Sequence, residues 1–325
     1  MHLPRLPVLV LLPALLSPAA VWGWGTLGHK ATAMLATRLL SRPAAREIRS
    51  LLQSQSLMTV STWADYYAHT SEGRYSASWH WIDARDSPPQ SCGIELPRDC
   101  NVGDSDSAGG RSVSGSGCIV SAIANHTARL GDRGGPWAER QMSLKWLVHF
   151  LGDIHQPLHT ENLMRGGNGI EVAFDGHHTN LHHVWDTSIP ERLVGGNGAS
   201  DAVRWADALR ADITAGRRWG SDAPAAWGDC LDPSRGSDCA LAWAQETNAW
   251  VCSYVLPPSY PDGFAGSELN GSYYDGAVDI VELQIARAGW RLAMWLNAVL
   301  ADAGDSRAES WADWLARVLG IEGDL

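Results

Sequence analysis

The stretch from Trp146 to His159 reads WLVHFLGDIHQPLH and is the most informative part of this sequence. His149 and Asp153 stand four residues apart, so on a helix both side chains project from one face and can close on one metal ion. Pro157 cannot continue a helix, which places His159 just beyond its end. The stretch therefore predicts a helix that carries a metal-ligating pair, with a further ligand in the turn that follows.

A second stretch, from Asn180 to Asp186, reads NLHHVWD and repeats the spacing with His182 and Asp186. Imidazole nitrogen and carboxylate oxygen without thiolate suit zinc, and a carboxylate can bridge two ions through its two oxygens. A single pair of this kind is commonly a helix cap or a hydrogen-bonded core histidine. Two pairs together with His159 favour a zinc site.

Outward from these stretches, apolar residues recur mainly at helical spacing. Val281, Ile285, Ala288, Leu292, Trp295 and Val299 form one face of a segment from about Tyr274 to Ala301, which predicts a long helix. Shorter helical patterns cover Leu27–Leu40, Ala44–Leu52, Thr59–His69, Ile119–Leu130, Pro136–Leu151, Asp201–Ala215 and Cys239–Cys252. Only Ile170–Phe174 alternates as a strand does. The expected class is mostly α.

The organisation of the chain is that of a leader followed by one domain. Residues 1–23 have Arg5 near the start, a short apolar run and then small residues, which is typical of a secretory signal. Cleavage before Trp24 is the preferred site, although cleavage after Ala20 also fits. We expect no membrane anchor, because the sequence after residue 23 contains no run of about 18 apolar residues. We expect a single domain over 24–303, a short helical appendage over 304–325, and a secreted protein.

Six cysteines in an exported chain predict up to three disulfides. A metal site built from cysteines is disfavoured, because the sequence contains no C-x-x-C motif. Cys100 with Cys118, and Cys230 with Cys239, each bracket a short segment, which leaves Cys92 with Cys252. Other pairings remain possible on sequence grounds. Asn125 and Asn270 begin glycosylation sequons.

Composition narrows the function further. The 325 residues are 45% hydrophobic, which excludes general disorder, and include 12 His and 17 Trp but only 3 Phe. A net charge of −11 disfavours a protein that coats duplex DNA by counterion release. Any nucleic-acid ligand must be held locally.

Three further motifs lie outside the two ligand stretches: Trp24–His29 (WGTLGH), Trp63–Asp65 (WAD) and Trp79–Ala84 (WHWIDA). Further matches are Cys118–Asn125 (CIVSAIAN), the GDxHQPLH run that ends at His159, and Tyr273-Tyr274. Taken in order, these motifs resemble the zinc-dependent single-strand nucleases of fungi, plants and some protists, often called the S-one/P-one type. The resemblance extends from Trp24 to about Asn297. It implies a single-domain helical fold of the zinc phospholipase C and single-strand nuclease type, with a small β-hairpin.

The resemblance also implies a centre of three zinc ions. Asp65, His80, His149 and Asp153 would hold the first ion, and Asp153 would bridge to a second. His29 and the main chain of Trp24, as the mature amino terminus, would hold that second ion. His159, His182 and Asp186 would hold the third. His155 and His183 fall outside the matched ligands.

Matched substrate residues are Trp81, on which an unstacked base would lie, and Asp83 with Asn168, which would read the base edge. The implied reaction hydrolyses single-stranded DNA or RNA to 5′-nucleotides, and 3′-mononucleotides as well, with a hydroxide bridging two zinc ions as nucleophile. Asp65 would also orient that water. No protein partner is implied.

One position departs from the family. Three residues after the aspartate that matches Asp65, a Lys or Arg commonly faces the scissile phosphate, whereas this chain has Ala68. Two alternatives stay open. One is a zinc phospholipase C, whose last ligand would be Glu where this chain has Asp186. The other is a non-enzymatic secreted protein that stores zinc or uses it for adhesion.

Overall fold

The computed structural model describes residues 23–100, 117–220 and 223–301. Most of the expected signal, most of the connector at 103–117 and the expected appendage at 304–325 lie outside these residues. The described helices are α1 (Thr26–Leu39), α2 (Arg42–Leu52), α3 (Leu57–Val60), α4 (Trp63–Ala68), α5 (Ile119–Gly131), α6 (Trp137–Asp153), α7 (Leu181–His183), α8 (Ile189–Val194), α9 (Ala199–Ala215), α10 (Ala223–Trp227), α11 (Gly236–Trp250) and α12 (Ser272–Val299). The mostly helical class is confirmed.

The core forms around α12, the longest of these helices. Its predicted face is buried at Val281, Ile285 and Leu292, and neighbouring side chains such as Trp290 are buried as well, as expected of a helix surrounded by protein. α1 packs along α12, and α9 packs on α1. A Cβ on Gly289 would lie 2.7 Å from the Leu35 side chain, so glycine there permits the close α1–α12 contact.

α6 packs against α5 and α12 and also contacts α1, α2 and the short α3 and α4. It begins after Pro136 and ends at Asp153, so both ligands of the first stretch lie on one continuous helix. Pro157 opens a 3₁₀ helix, Pro157–Thr160, that carries His159. A second 3₁₀ helix, Arg74–His80, ends at His80.

The sheet is one antiparallel hairpin of β1 (Glu171–Phe174) and β2 (His177–Asn180). Asp175 and Gly176 both adopt positive φ, as a two-residue hairpin turn of type I′ requires. The last residue of β2, Asn180, accepts a hydrogen bond from the His183 amide at 2.8 Å and so caps α7. The hairpin thereby fixes the position of His182.

Two predicted helices need correction. The pattern over Thr59–His69 is split into α3 and α4, because Ser61 and Thr62 separate the two turns. The pattern over Cys239–Cys252 ends as an α-helix at Trp250 and continues as a π-helical turn, Val251–Val255.

Three disulfides join Cys92 to Cys252, Cys100 to Cys118 and Cys230 to Cys239. These are the pairs that the sequence favours. Among the described helices, none has the length and apolar character needed to cross a membrane.

Candidate metal centre and adjoining cavity

The first group of candidate ligands lies where α6, α4 and the 3₁₀ helix ending at His80 meet. His149 donates a hydrogen bond from Nδ1 to the Ser61 carbonyl at 2.6 Å, which directs the lone pair of Nε2 into the group. Asp65 and His80 approach the same point from α4 and from the 3₁₀ helix. All of these side chains are buried.

Four donor atoms of this group have the spacing of a tetrahedral site. Five of the six distances among Asp65 Oδ1, His80 Nδ1, His149 Nε2 and Asp153 Oδ2 lie between 3.1 and 3.5 Å. Ligand bonds of zinc length imply edges of about 3.3 Å in a tetrahedron. The donors therefore fit a zinc ion at their centre.

The second group shares Asp153. Its other oxygen, Oδ1, lies 3.2 Å from His29 Nε2 on α1, so one carboxylate faces both groups. A Cβ on Gly152 would lie 2.8 Å from His29 Nδ1, and glycine there lets α1 approach the end of α6. Trp24 is fully buried beside this group.

The third group combines His159, His182 and Asp186. His159 donates from Nδ1 to the His80 carbonyl at 2.8 Å, and His182 donates from Nδ1 to the Gly166 carbonyl at 2.6 Å. Both Nε2 atoms are thus left to face inward, and His182 Nε2 lies 3.0 Å from Asp186 Oδ2. The i,i+4 pair spans α7 and a π-helical turn, Val184–Ser188.

The electrostatics of the third group favour a bound cation, whereas in the first group, despite burial, the carboxylates of Asp153 and Asp65 raise the pKa of His149 well above its ordinary value. Burial lowers the pKa of His159 to about 4, so the imidazole is neutral, as a metal ligand must be. Burial raises the pKa of Asp186 to about 6, and a nearby cation would restore its charged form. Asp153 Oδ1 and His159 Nε2 are buried without a hydrogen bond to any described residue. Such atoms are costly unless a ligand satisfies them.

Beside the third group lies a cavity of about 400 Å³. Its lining includes Trp81, Asp83 and Asn168, the three residues assigned to substrate from the sequence, together with His159 and His182. Burial raises the pKa of Asp83. The fold thus brings the matched base-binding residues to a single cavity at the candidate metal centre.

Sequence reasoning assigned no role to several residues of this region. Gln156 donates from its amide nitrogen to Asp186 Oδ1 at 2.5 Å, and its amide oxygen accepts from the Leu158 amide. Glu161 and Arg165 line the cavity. Gln156 stood inside the quoted motif, but its partner Asp186 is 30 residues away, which sequence spacing does not reveal.

Two histidines next to the ligand motifs, His155 and His183, and the two sequon asparagines have ordinary surroundings. His155 is buried between the Leu151 carbonyl and Arg291, and His183 is exposed. Asn125 accepts a hydrogen bond from Arg129 at 2.9 Å, and Asn270 donates one to Asp175 at 3.0 Å. Glycosylation at Asn125 and Asn270 stays a prediction.

Known proteins of similar sequence are nucleases. The family described as "S1/P1 Nuclease" matches residues 24–301. The chain is 40% identical over 284 residues to "Nuclease S1" of Aspergillus oryzae, covering 86% of this chain and 92% of that protein. It is 41% identical over 279 residues to "Nuclease P1" of Penicillium citrinum, covering 85% and 97%. With "Endonuclease 1" of Arabidopsis thaliana the identity is 31% over 296 residues, covering 89% and 90%.

Fold and site together define a mostly helical protein with three buried groups of candidate metal ligands. The chain belongs to the S1/P1 nuclease family.

Proposed function

We propose that this protein is a secreted zinc-dependent phosphodiesterase that hydrolyses single-stranded DNA and RNA to 5′-nucleotides and also acts on 3′-mononucleotides. The observation that carries the proposal is the convergence of buried imidazole and carboxylate donors, in a nuclease family member, at tetrahedral spacing. Three zinc ions are the proposed cofactors. Asp65, His80, His149 and Asp153 would hold one, His29 with Asp153 and the Trp24 terminus a second, and His159, His182 and Asp186 the third.

When bound, zinc ions supply Lewis acidity and lower the pKa of a water molecule toward neutrality. The residues of the chain position the reactants around that chemistry. Asp65 orients the attacking water with its carboxylate. Asn168 is held by a hydrogen bond from its side-chain amide to the Arg165 carbonyl, at 2.9 Å.

Selectivity for single strands follows from the cavity. A base can lie on the Trp81 ring and present its edge to Asp83 and Asn168 only after it has left a stacked duplex. A base in a single strand has no pairing to break, so less free energy is needed to move it into the cavity than from a duplex. Phosphatidylcholine has no aromatic base that could stack on Trp81, which is why we propose the nuclease rather than the phospholipase reaction.

The proposed amino terminus is supported by the position of Gly23. A Cβ on Gly23 would lie 1.7 Å from Asp153 Oδ1 and 2.8 Å from His29 Nε2. Residue 23 thus stands directly against the second group. Cleavage before Trp24 would clear this space and turn the Trp24 peptide nitrogen into an amine able to ligate a metal.

Retention of Gly23 tests this assignment. We expect the protein that begins at Gly23 to bind one zinc ion fewer than the protein that begins at Trp24, and to lose most of its activity, because a peptide nitrogen is a poor ligand. Mass spectrometry verifies each terminus, and metal analysis gives the content. Full activity and equal zinc in the extended form would refute the assignment.

A substrate panel tests the reaction. Purified protein is assayed on denatured DNA, RNA, a 3′-mononucleotide and phosphatidylcholine, each with and without a chelator. We expect turnover of the first three, abolished by the chelator. Hydrolysis of phosphatidylcholine alone would indicate a phospholipase, and turnover of none would indicate a zinc-binding protein without activity.

A further inference from the structure

Arg165 lies at the cavity that holds Trp81 and Asn168, and its side chain is exposed. It is the one permanent cation among the lining residues, beside the acidic groups Asp83 and Glu161. In the described ranges, no ion pair joins Arg165 to a carboxylate, whereas the exposed Arg204, Arg217 and Arg235 each pair with an aspartate. Its guanidinium is therefore available to an anion at the mouth of the cavity.

The backbone around Arg165 is unusual. Met164, Arg165, Gly166 and Gly167 all adopt positive φ, at 49°, 61°, 58° and 78°, and form a left-handed turn. A residue with a side chain is disfavoured in this conformation, because its Cβ comes too close to the backbone. Strain of this kind persists where surrounding contacts impose it, and it concentrates at functional sites.

Contacts on both sides hold this left-handed turn. The Arg165 carbonyl accepts from the side-chain amide of Asn168 at 2.9 Å, and the next carbonyl, that of Gly166, accepts from His182 Nδ1 at 2.6 Å. Arg165 is thus fixed between a proposed base-reading residue and a proposed metal ligand. Its position relative to a bound nucleotide is set by the fold and not by a free loop.

The direction of a bound strand suggests what Arg165 would meet. If a base lies on Trp81 and its 3′-phosphate faces the metal ligands His159 and His182, the 5′ side of the same nucleotide must leave through the mouth of the cavity. The first group on that side of a polynucleotide is a phosphate. Arginine recognises phosphate through paired donors at fixed spacing.

We propose that Arg165 binds the phosphate on the 5′ side of the nucleotide whose base occupies the cavity. This inference rests on the proposed function and adds a specificity to it: Arg165 favours internal linkages and 5′-phosphorylated ends over 3′-mononucleotides that lack a 5′-phosphate. Arg165 does not substitute for the Lys or Arg that the family commonly has at the position of Ala68, because that side chain would face the scissile phosphate.

The test compares two substrates that differ only in the 5′-phosphate, adenosine 3′-phosphate and adenosine 3′,5′-bisphosphate. Arg165→Gln should lower kcat/KM about tenfold for the bisphosphate, mainly through KM, and leave the monophosphate within about twofold. Arg165→Lys should restore part of the loss. Arg210→Gln is the matched control, since it removes one exposed positive charge from α9, which contributes no residue to this cavity.

Two results would overturn the inference. An equal loss on both substrates would mean that Arg165 acts on the scissile phosphate or on the turn itself, and no loss on either would mean that it makes no contact. If the wild-type protein cleaves neither compound, the proposed function has failed. Both compounds are then stable ligands, and calorimetry decides the inference by whether Arg165→Gln weakens binding of the bisphosphate alone.

Discussion

Two buried histidines near the end of α6, six residues apart, have opposite surroundings. His155 donates from Nδ1 to the Leu151 carbonyl at 2.8 Å and accepts from Arg291 at Nε2 at 3.0 Å. His149 also donates from Nδ1, to Ser61, but its Nε2 faces His80, Asp65 and Asp153 at 3.1 to 3.2 Å. Neither ring is exposed to solvent.

The contrast teaches how to distinguish a structural histidine from a candidate ligand. Burial and residue type are the same for both, so neither property separates them. The difference lies in whether the second ring nitrogen has a single hydrogen-bond partner or converges with other acceptors on one point. Convergent buried donors of electron pairs are unfavourable unless a cation joins them.

Metal removal should produce the largest difference between the two regions. We expect a chelator to abolish activity and lower Tm by about 10 °C or more, because ligands that bind only the folded chain stabilise it. Metal analysis before chelation should approach three zinc ions per chain. One zinc or none in a fully active protein would contradict the proposed centre.

Asp153→Asn should come next in size. This carboxylate faces His29 with one oxygen and His80 and His149 with the other, so its loss weakens two groups at once. We expect kcat to fall by about a thousandfold or more, with a loss of bound zinc. His183→Ala is the control, since His183 is exposed and outside the ligand set. Equal losses in both variants would show that the cluster has been misread.

Arg291→Met perturbs the other region. Arg291 contacts both His155 and Glu246, at 3.0 and 2.6 Å. Its removal leaves the buried His155 Nε2 and the Trp227 carbonyl without their donor, whereas Glu246 is 32% exposed and keeps its ion pair with Arg287. We expect the free energy of unfolding to fall by about 2 kcal/mol with zinc content unchanged, because buried acceptors lose their hydrogen bonds. Arg217→Met, which breaks an exposed pair with Asp212, should cost less than about 1 kcal/mol. Loss of zinc in Arg291→Met would show that the region around His155 is not independent of the candidate metal centre.

Ala68→Lys should have the smallest effect, and a favourable one. Ala68 ends α4, one turn after Asp65, and the following His69 is turned back to hydrogen-bond the Asp65 carbonyl at 2.7 Å. A lysine there would add a cation near the scissile phosphate. We expect a gain of a few fold on single strands at low salt, and a smaller gain at high salt because exposed charges are screened. Ala68→Gln is the uncharged control, and an equal gain in that variant would exclude the electrostatic explanation.

The sequence pattern predicted the long elements, whereas the grouping of the candidate ligands followed from the resemblance to a family. His149 and Asp153 lie on one helix as their spacing required, since α6 continues unbroken to Asp153. The sequence did not predict the break at Ser61, because the apolar pattern continues across it. The left-handed turn was also missed, since Met164 and Arg165 carry no signal for positive φ.

The sequence also did not predict the hydrogen bonds between residues that are distant along the chain. Gln156 with Asp186, and His155 with Arg291, are brought together by packing of separate elements. A single sequence contains each residue but not the pairing. The matched substrate residues Trp81, Asp83 and Asn168 could be named only through resemblance to a family.

The left-handed turn has a consequence for attempts to alter base preference by directed evolution. Its carbonyls fix both Asn168 and His182, so mutations selected at 164–168 for a new base would also disturb a proposed zinc ligand. Asp83 lies on the extended segment after His80, outside that turn. Libraries centred on Asp83 should therefore retain metal in a larger fraction of their members than libraries centred on the turn.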